Sequence, residues 1–171
     1  STYICFGLNK DFKECIIMDA EGNIIERGEF IKSQASMTAF IIIRQNNKNY
    51  LYNCKLRKKE NLPDNIVIKD LKILDYAMSY SLYAIIYEKE GKDYWAFMQY
   101  NNSNAQIKIL ITDIIEYDHI QNTHIYVTTV NNKKTMHTYE IGSEGFIDHI
   151  VTMPADYRCD LAKMDKVGYN D

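Results

Sequence analysis

Short apolar or alternating runs, each bounded by turn residues, recur along this chain at roughly ten-residue intervals, and no other feature constrains the fold as strongly. The spacing suits antiparallel strands joined by hairpins and predicts about nine to eleven of them. Thr2 to Leu8 is read as pairing with Glu14 to Asp19 across Asn9-Lys10-Asp11, and Glu21-Gly22-Asn23 turns the chain into Ile24 to Phe30. Met37 to Arg44 and Tyr50 to Arg57 form a second hairpin around the polar stretch Gln45 to Asn49. Asn61-Leu62-Pro63-Asp64 punctuates the chain before Ile66 to Leu74. A third hairpin joins Ser81 to Tyr87 with Tyr94 to Tyr100 through a turn containing Gly91, and Ile107 to Ile111 is expected to pair with His124 to Val130. Helical signals are few. Thr135 to Glu144, ended by Gly145, and Asp160 to Val167 are predicted as short helices. With no repeat of fixed period and no low-complexity boundary, residues 1–171 are read as one domain.

The composition agrees with an all-β reading, because 14 tyrosines stand against only 7 glycines and 2 prolines. The accompanying excess of Ile, Asn and Lys also suits an AT-rich coding sequence, so the asparagine pairs are read as loop filler. Twenty basic and 23 acidic residues are mixed along the chain to a net charge of −3, leaving no block of like charge for a nucleic-acid partner. The longest apolar runs, Cys15 to Met18 and Ala39 to Ile43, are far below the ~20 residues of a membrane helix, so no membrane span is expected. No charged segment followed by an apolar core opens the chain, and any targeting segment is expected to have been removed.

Candidate chemistry is sparse. Cys5, Cys15, Cys54 and Cys159 fit neither zinc-site nor C-x-x-C spacing, so no metal is expected. They permit two disulfides in an oxidising compartment, in any of three connectivities, or four reduced thiols buried in a cytosolic core. Histidines 119, 124, 137 and 149 invite a catalytic reading because Asp118 precedes His119 and Asp148 precedes His149. Adjacent strand residues point to opposite faces, however, so neither carboxylate is expected to orient its neighbour. Asp113, Glu116 and Asp118 lack the glycine turn and ligand count of a calcium loop. No G-x-S-x-G, phosphate-cradling glycine loop or H-E-x-x-H occurs, and neither enzymatic activity nor a cofactor is expected.

The aromatic residues are more informative. Tyr83, Ile85 and Tyr87 share one face of a strand, and Trp95, Phe97 and Gln99 share a face of the next. Together they are expected to give one sheet surface a dense band of rings. Such a band either fills a sandwich core or lines a barrel, and a barrel of about eight strands is wide enough to be filled or to admit one small ligand.

Two stretches carry a family resemblance. Ile73-Leu74-Asp75-Tyr76, Tyr80, Tyr83-Ala84-Ile85-Ile86-Tyr87 and, after a hydrophilic turn, Tyr94-Trp95-Ala96-Phe97-Met98 resemble the central Asp-Tyr turn and paired strands of the lipocalins, in the calycin group. Gly145-Phe146-Ile147-Asp148-His149-Ile150-Val151-Thr152-Met153-Pro154, ending in Arg158-Cys159, is similar to that family's exit from its helix into a final short strand and cysteine. The resemblance implies an antiparallel up-and-down β-barrel with at most one or two short helices. It also implies a disulfide between Cys54 and Cys159, leaving Cys5 with Cys15, and a secreted or lumenal setting (extracellular, vacuolar or ER-derived). The implied function is carriage of a small hydrophobic ligand of the fatty acid, sterol, retinoid or tetrapyrrole class, by a monomer or a homo-oligomer. By alternation the candidate lining residues are Tyr83, Ile85, Tyr87, Phe97, Ile109 and Tyr126, and a one-residue slip would invert every one of them. The rival expectation is a β-sandwich that binds or adheres to proteins, with its rings in a solid core and tyrosines on its contact surface.

Overall fold

The computed structural model describes residues 4–11, 13–33, 40–120 and 123–152. These residues form thirteen strands in two antiparallel sheets, with no helix among them. The first sheet runs in chain order through β1 (Ile4–Leu8), β2 (Glu14–Asp19), β3 (Ile24–Ser33), β4 (Phe40–Gln45), β5 (Lys48–Asn53) and β6 (Lys58–Lys59). The second continues in chain order through β7 (Ile68–Tyr76), β8 (Tyr80–Lys89), β9 (Lys92–Asn101), β10 (Ile107–Ile120), β11 (Thr123–Val130), β12 (Lys133–Gly142) and β13 (Gly145–Val151).

Three of the hairpins turn on two residues that are both in the left-handed region: Asn46 and Asn47 (φ 50° and 63°), Glu90 and Gly91 (53° and 76°), and Asn131 and Asn132 (51° and 60°). This is type I′ geometry, whose twist matches that of the strands it joins. Asparagine reaches it because its short amide bonds to local backbone. The asparagine pairs are therefore turn-makers, which corrects their reading as filler. The Asn131-Asn132 turn also decides the fate of the predicted helix over Thr135 to Glu144. It folds the chain back beside β11, so that Met136, His137 and Tyr139 pair with Val127, Tyr126 and His124 as strand β12. The other predicted helix, Asp160 to Val167, lies outside the described residues.

The expected all-β, antiparallel architecture is present as two sheets, and among the described residues neither of them is closed into a barrel. The break falls where Pro63 punctuates the chain: β6 has only two residues, and no ladder joins it to β7. Instead the sheets pack face to face through Phe40, Ile42 and Leu51 of the first and Ile68, Leu71, Tyr83, Ile85, Tyr87, Ala96, Met98 and Tyr100 of the second. The Phe40 ring meets Tyr83 and Tyr100 edge-on, each at 5.3 Å between centroids. Strands β4 and β8 lie inside this arrangement with both faces covered, since Phe40 to Ile43 and Ser81 to Tyr87 are all buried. No helix of the described residues is long and apolar enough to cross a membrane.

The second sheet is strongly curled. Strand β10 carries register breaks between Ile109 and Ile111, Ile111 and Ile114, and Ile114 and Glu116, with Asp113 at φ 58°. Bulges bend a strand and increase its twist. As a result Asp75 at the end of β7 lies 3.0 Å from His124 on β11, four strands away, where a flat sheet would separate them by about 19 Å. On the same curl, the Phe146 amide of β13 donates to Gln99 Oε1 of β9 at 3.0 Å.

Candidate functional site

The concave side of the second sheet collects the residues with the most chemistry, and only two of the six predicted lining residues are there. Directly opposed residues share a face, and the ladder pairs Tyr83 with Met98, Ile85 with Ala96 and Tyr87 with Tyr94, whereas Phe97 pairs with Ala84. Tyr83, Ile85, Tyr87 and Ile109 therefore belong to the core between the sheets, while Phe97 and Tyr126 face the concavity. The expected single band of rings is corrected to two bands on opposite faces. A two-residue turn at Glu90-Gly91 fixes this register, and one more residue in the turn would have put both stripes on one side.

In the concavity Phe97 is fully buried, and the rings of Tyr126, Tyr139, Phe146 and Tyr117 surround it at 4.9, 5.3, 6.1 and 6.2 Å. Leu82, Ala84 and Ile114 complete the packing. Cross-strand register then builds two ladders of flat groups. His119, His124 and Tyr139 stand opposite one another on β10, β11 and β12, with centroids 4.2 and 4.7 Å apart and nearly parallel planes. In the next row Tyr126 stacks on His137 at 4.4 Å.

Two carboxylates complete the cluster. Asp75 Oδ2 lies 3.0 Å from His124 Nε2, and Tyr117 Oη lies 3.1 Å from His124 Nδ1. Because a carboxylate only accepts, Nε2 carries the proton and Nδ1 accepts from the Tyr117 hydroxyl. On β13, Asp148 accepts from the Tyr126 hydroxyl and lies 3.3 Å from His137 Nδ1, while His137 Nε2 is 2.9 Å from Thr128 Oγ1. Burial is the first cause of the lowered pKa of His124; Asp75 opposes it and His119 adds to it. Burial likewise raises the Tyr126 and Tyr139 hydroxyls, helped by Asp148 and by Tyr117 respectively. The buried Tyr139 hydroxyl sits beside that of Tyr117 without a bond of good geometry.

Neither histidine pair was visible as adjacent sequence. Asp148 turns to His137 rather than to His149, whose ring is 3.8 Å from Glu140 on the other face, and Asp118 accepts from the His119 backbone. The signal that would have found them is register: Asp148 stands two residues from Ile150, the residue opposite His137. The acidic trio is dispersed, with Asp113 beside Lys89 and Tyr87, and Glu116 beside Lys134. Among the described residues no three His, Cys, Asp or Glu side chains are placed to hold a metal ion.

The cysteines do not follow the implied bonding. Cys15 and Cys54 are free, buried thiols in the core on the first sheet's other face. Cys5 pairs with Met18 and Cys15 with Leu8, a three-residue offset of about 10 Å along the hairpin, against the ~4.4–6.8 Å between Cα atoms that a disulfide spans. Cys159, the implied partner of Cys54, lies outside the described residues. No protein-family model matches the chain, and no curated protein is significantly similar to it.

Proposed function

We propose that this chain is a protein-binding module that works through its surface, with its interior given over to packing. The observation that carries this reading is the ring cluster around Phe97, which occupies the place where a carrier would hold its guest. The polar groups support it too. Both ring nitrogens of His124 and of His137 are engaged within the fold, leaving neither positioned as a free general base. Tyrosine suits a contact surface, being stiff and amphipathic, and Tyr76 and Met78 project from the β7–β8 turn with 57% and 97% of their surface exposed.

The test is a titration with a fluorescent fatty acid and with retinol, following emission from Trp95, the only tryptophan. A surface-binding module gives no saturable quenching. One-to-one saturable quenching at micromolar ligand would overturn the reading in favour of a carrier, for which each buried CH₂ contributes about 0.8 kcal/mol.

A further inference from the structure

We infer that the outer edge of β13 is a dimerisation surface, along which a second copy of this chain lays its own β13 antiparallel, with the two-fold axis at His149. The edge is open. Ile147, Asp148, His149 and Ile150 are all exposed, and Ile147 and Ile150 show 43% and 67% of their surface. The Phe146 amide donates to Gln99 and therefore points away from β12. Backbone groups alternate in direction along an antiparallel strand, so Asp148 and Ile150 also turn their N–H and C=O groups outward, while Ile147 and His149 bond inward to β12. Among the described residues nothing pairs with those outward groups.

The edges at the break between the sheets are blunted, and this one is not. Strand β6 has two residues, both lysine, and β7 carries Lys69 and Lys72 together with register breaks between Ile68 and Asp70 and between Ile73 and Asp75. Short length, lysines and bulges all discourage the addition of a further strand. In contrast, β13 is regularly paired with β12 from Gly145 to Val151 and holds neither lysine nor proline.

The strand is also its own complement. A two-fold axis at His149 sets Asp148 against Ile150 of the second copy and Ile150 against its Asp148, so that the outward groups of each chain satisfy those of the other. Ile147 then lies against Val151 of the second copy, which covers its exposed surface. The Phe146–Gln99 bond is left intact. An axis at Asp148 would need the Phe146 amide and would oppose two carboxylates, and an axis at Ile150 would leave Ile147 beyond the end of the added strand. With so few backbone bonds the dimer is a weak one that forms at high concentration.

The experiment is sedimentation equilibrium of the full chain at neutral pH, over concentrations that bracket dissociation constants from about 1 μM to about 1 mM. The weight-average mass should rise from that of one chain toward that of two and stop there, because a two-fold interface closes on itself. Ile150→Pro removes an outward N–H that β12 does not use and should abolish the rise, with far-ultraviolet circular dichroism confirming that the strands are kept. His149→Lys and His149→Glu each place like charges directly opposite one another, so each alone should associate about tenfold more weakly than the wild type, and an equal mixture of the two should recover association as a heterodimer. A wild-type chain that stays single throughout would overturn the inference and leave this edge to a foreign strand. So would a folded Ile150→Pro that associates as the wild type does, a mass that climbs past two chains, or a mixture of the His149 variants that associates no better than either alone.

Discussion

Replacing Phe97 by alanine tests whether the concavity is a packed core or a vacant site. Phe97 is fully buried, with four aromatic rings within 6.2 Å, and Ala84 and Ile111 stand opposite it on the flanking strands. Removing a ring from so closed an environment forfeits its transfer free energy and leaves a cavity, a combination worth about 3–5 kcal/mol. Loss of the edge-to-face contacts with Tyr126 and Tyr139 places the expected cost toward the upper part of that range, about 4 kcal/mol. Against a total stability of about 5–15 kcal/mol this removes a large fraction without necessarily unfolding the chain. In urea denaturation followed by Trp95 emission, with a slope of about 2 kcal/mol/M, the midpoint should fall by about 2 M. Phe97→Leu, which keeps most of the volume, should lose less than half as much. A loss below about 1.5 kcal/mol for Phe97→Ala would mean that the ring already bordered empty space, and the argument for a solid interior would fail.

Three further outcomes follow from particular contacts. Burial pushes the Cys54 thiol up to about 12 and raises that of Cys15 as well, so neither should react with an aromatic disulfide reagent at pH 8 until denaturant is added; prompt labelling of native protein would contradict their burial. Burial also pushes the Tyr52 and Tyr83 hydroxyls up to about 12. Because those folded values exceed the unfolded value of about 10, the stability they contribute is complete below pH 10 and is lost as pH rises through 12, and phenolate absorbance should show these rings titrating last or together with alkaline unfolding. Gly28→Ala would place a Cβ 3.0 Å from the Arg44 carbonyl oxygen and 3.3 Å from Ile43 Cβ, forcing β3 and β4 apart, and should lower the thermal midpoint by several degrees, whereas Gly142→Ala, with open space around it, should change it little.

The strands were legible in the sequence because each is a local property. Ser81 to Tyr87 and Tyr94 to Tyr100 lie within β8 and β9, and Ile24 to Phe30 within β3. Where local evidence was split, distant pairing decided: the residues from Thr135 onward could be wound as a helix until the Asn131-Asn132 turn laid them against β11. The polar cluster was less legible still. Asp75 and His124 are 49 positions apart, and nothing in the chemistry of either singles out the other.

What the sequence by itself determined, then, is an antiparallel all-β chain, because alternation, turn residues and β-branched side chains act over a few residues. The tertiary structure decided the rest: which face each stripe occupies, where the sheet stops, and which histidine meets which carboxylate. Those depend on one-residue differences in turn length and on bulges in β10, and such small local changes are multiplied into ångströms only when strands are summed across a curled sheet.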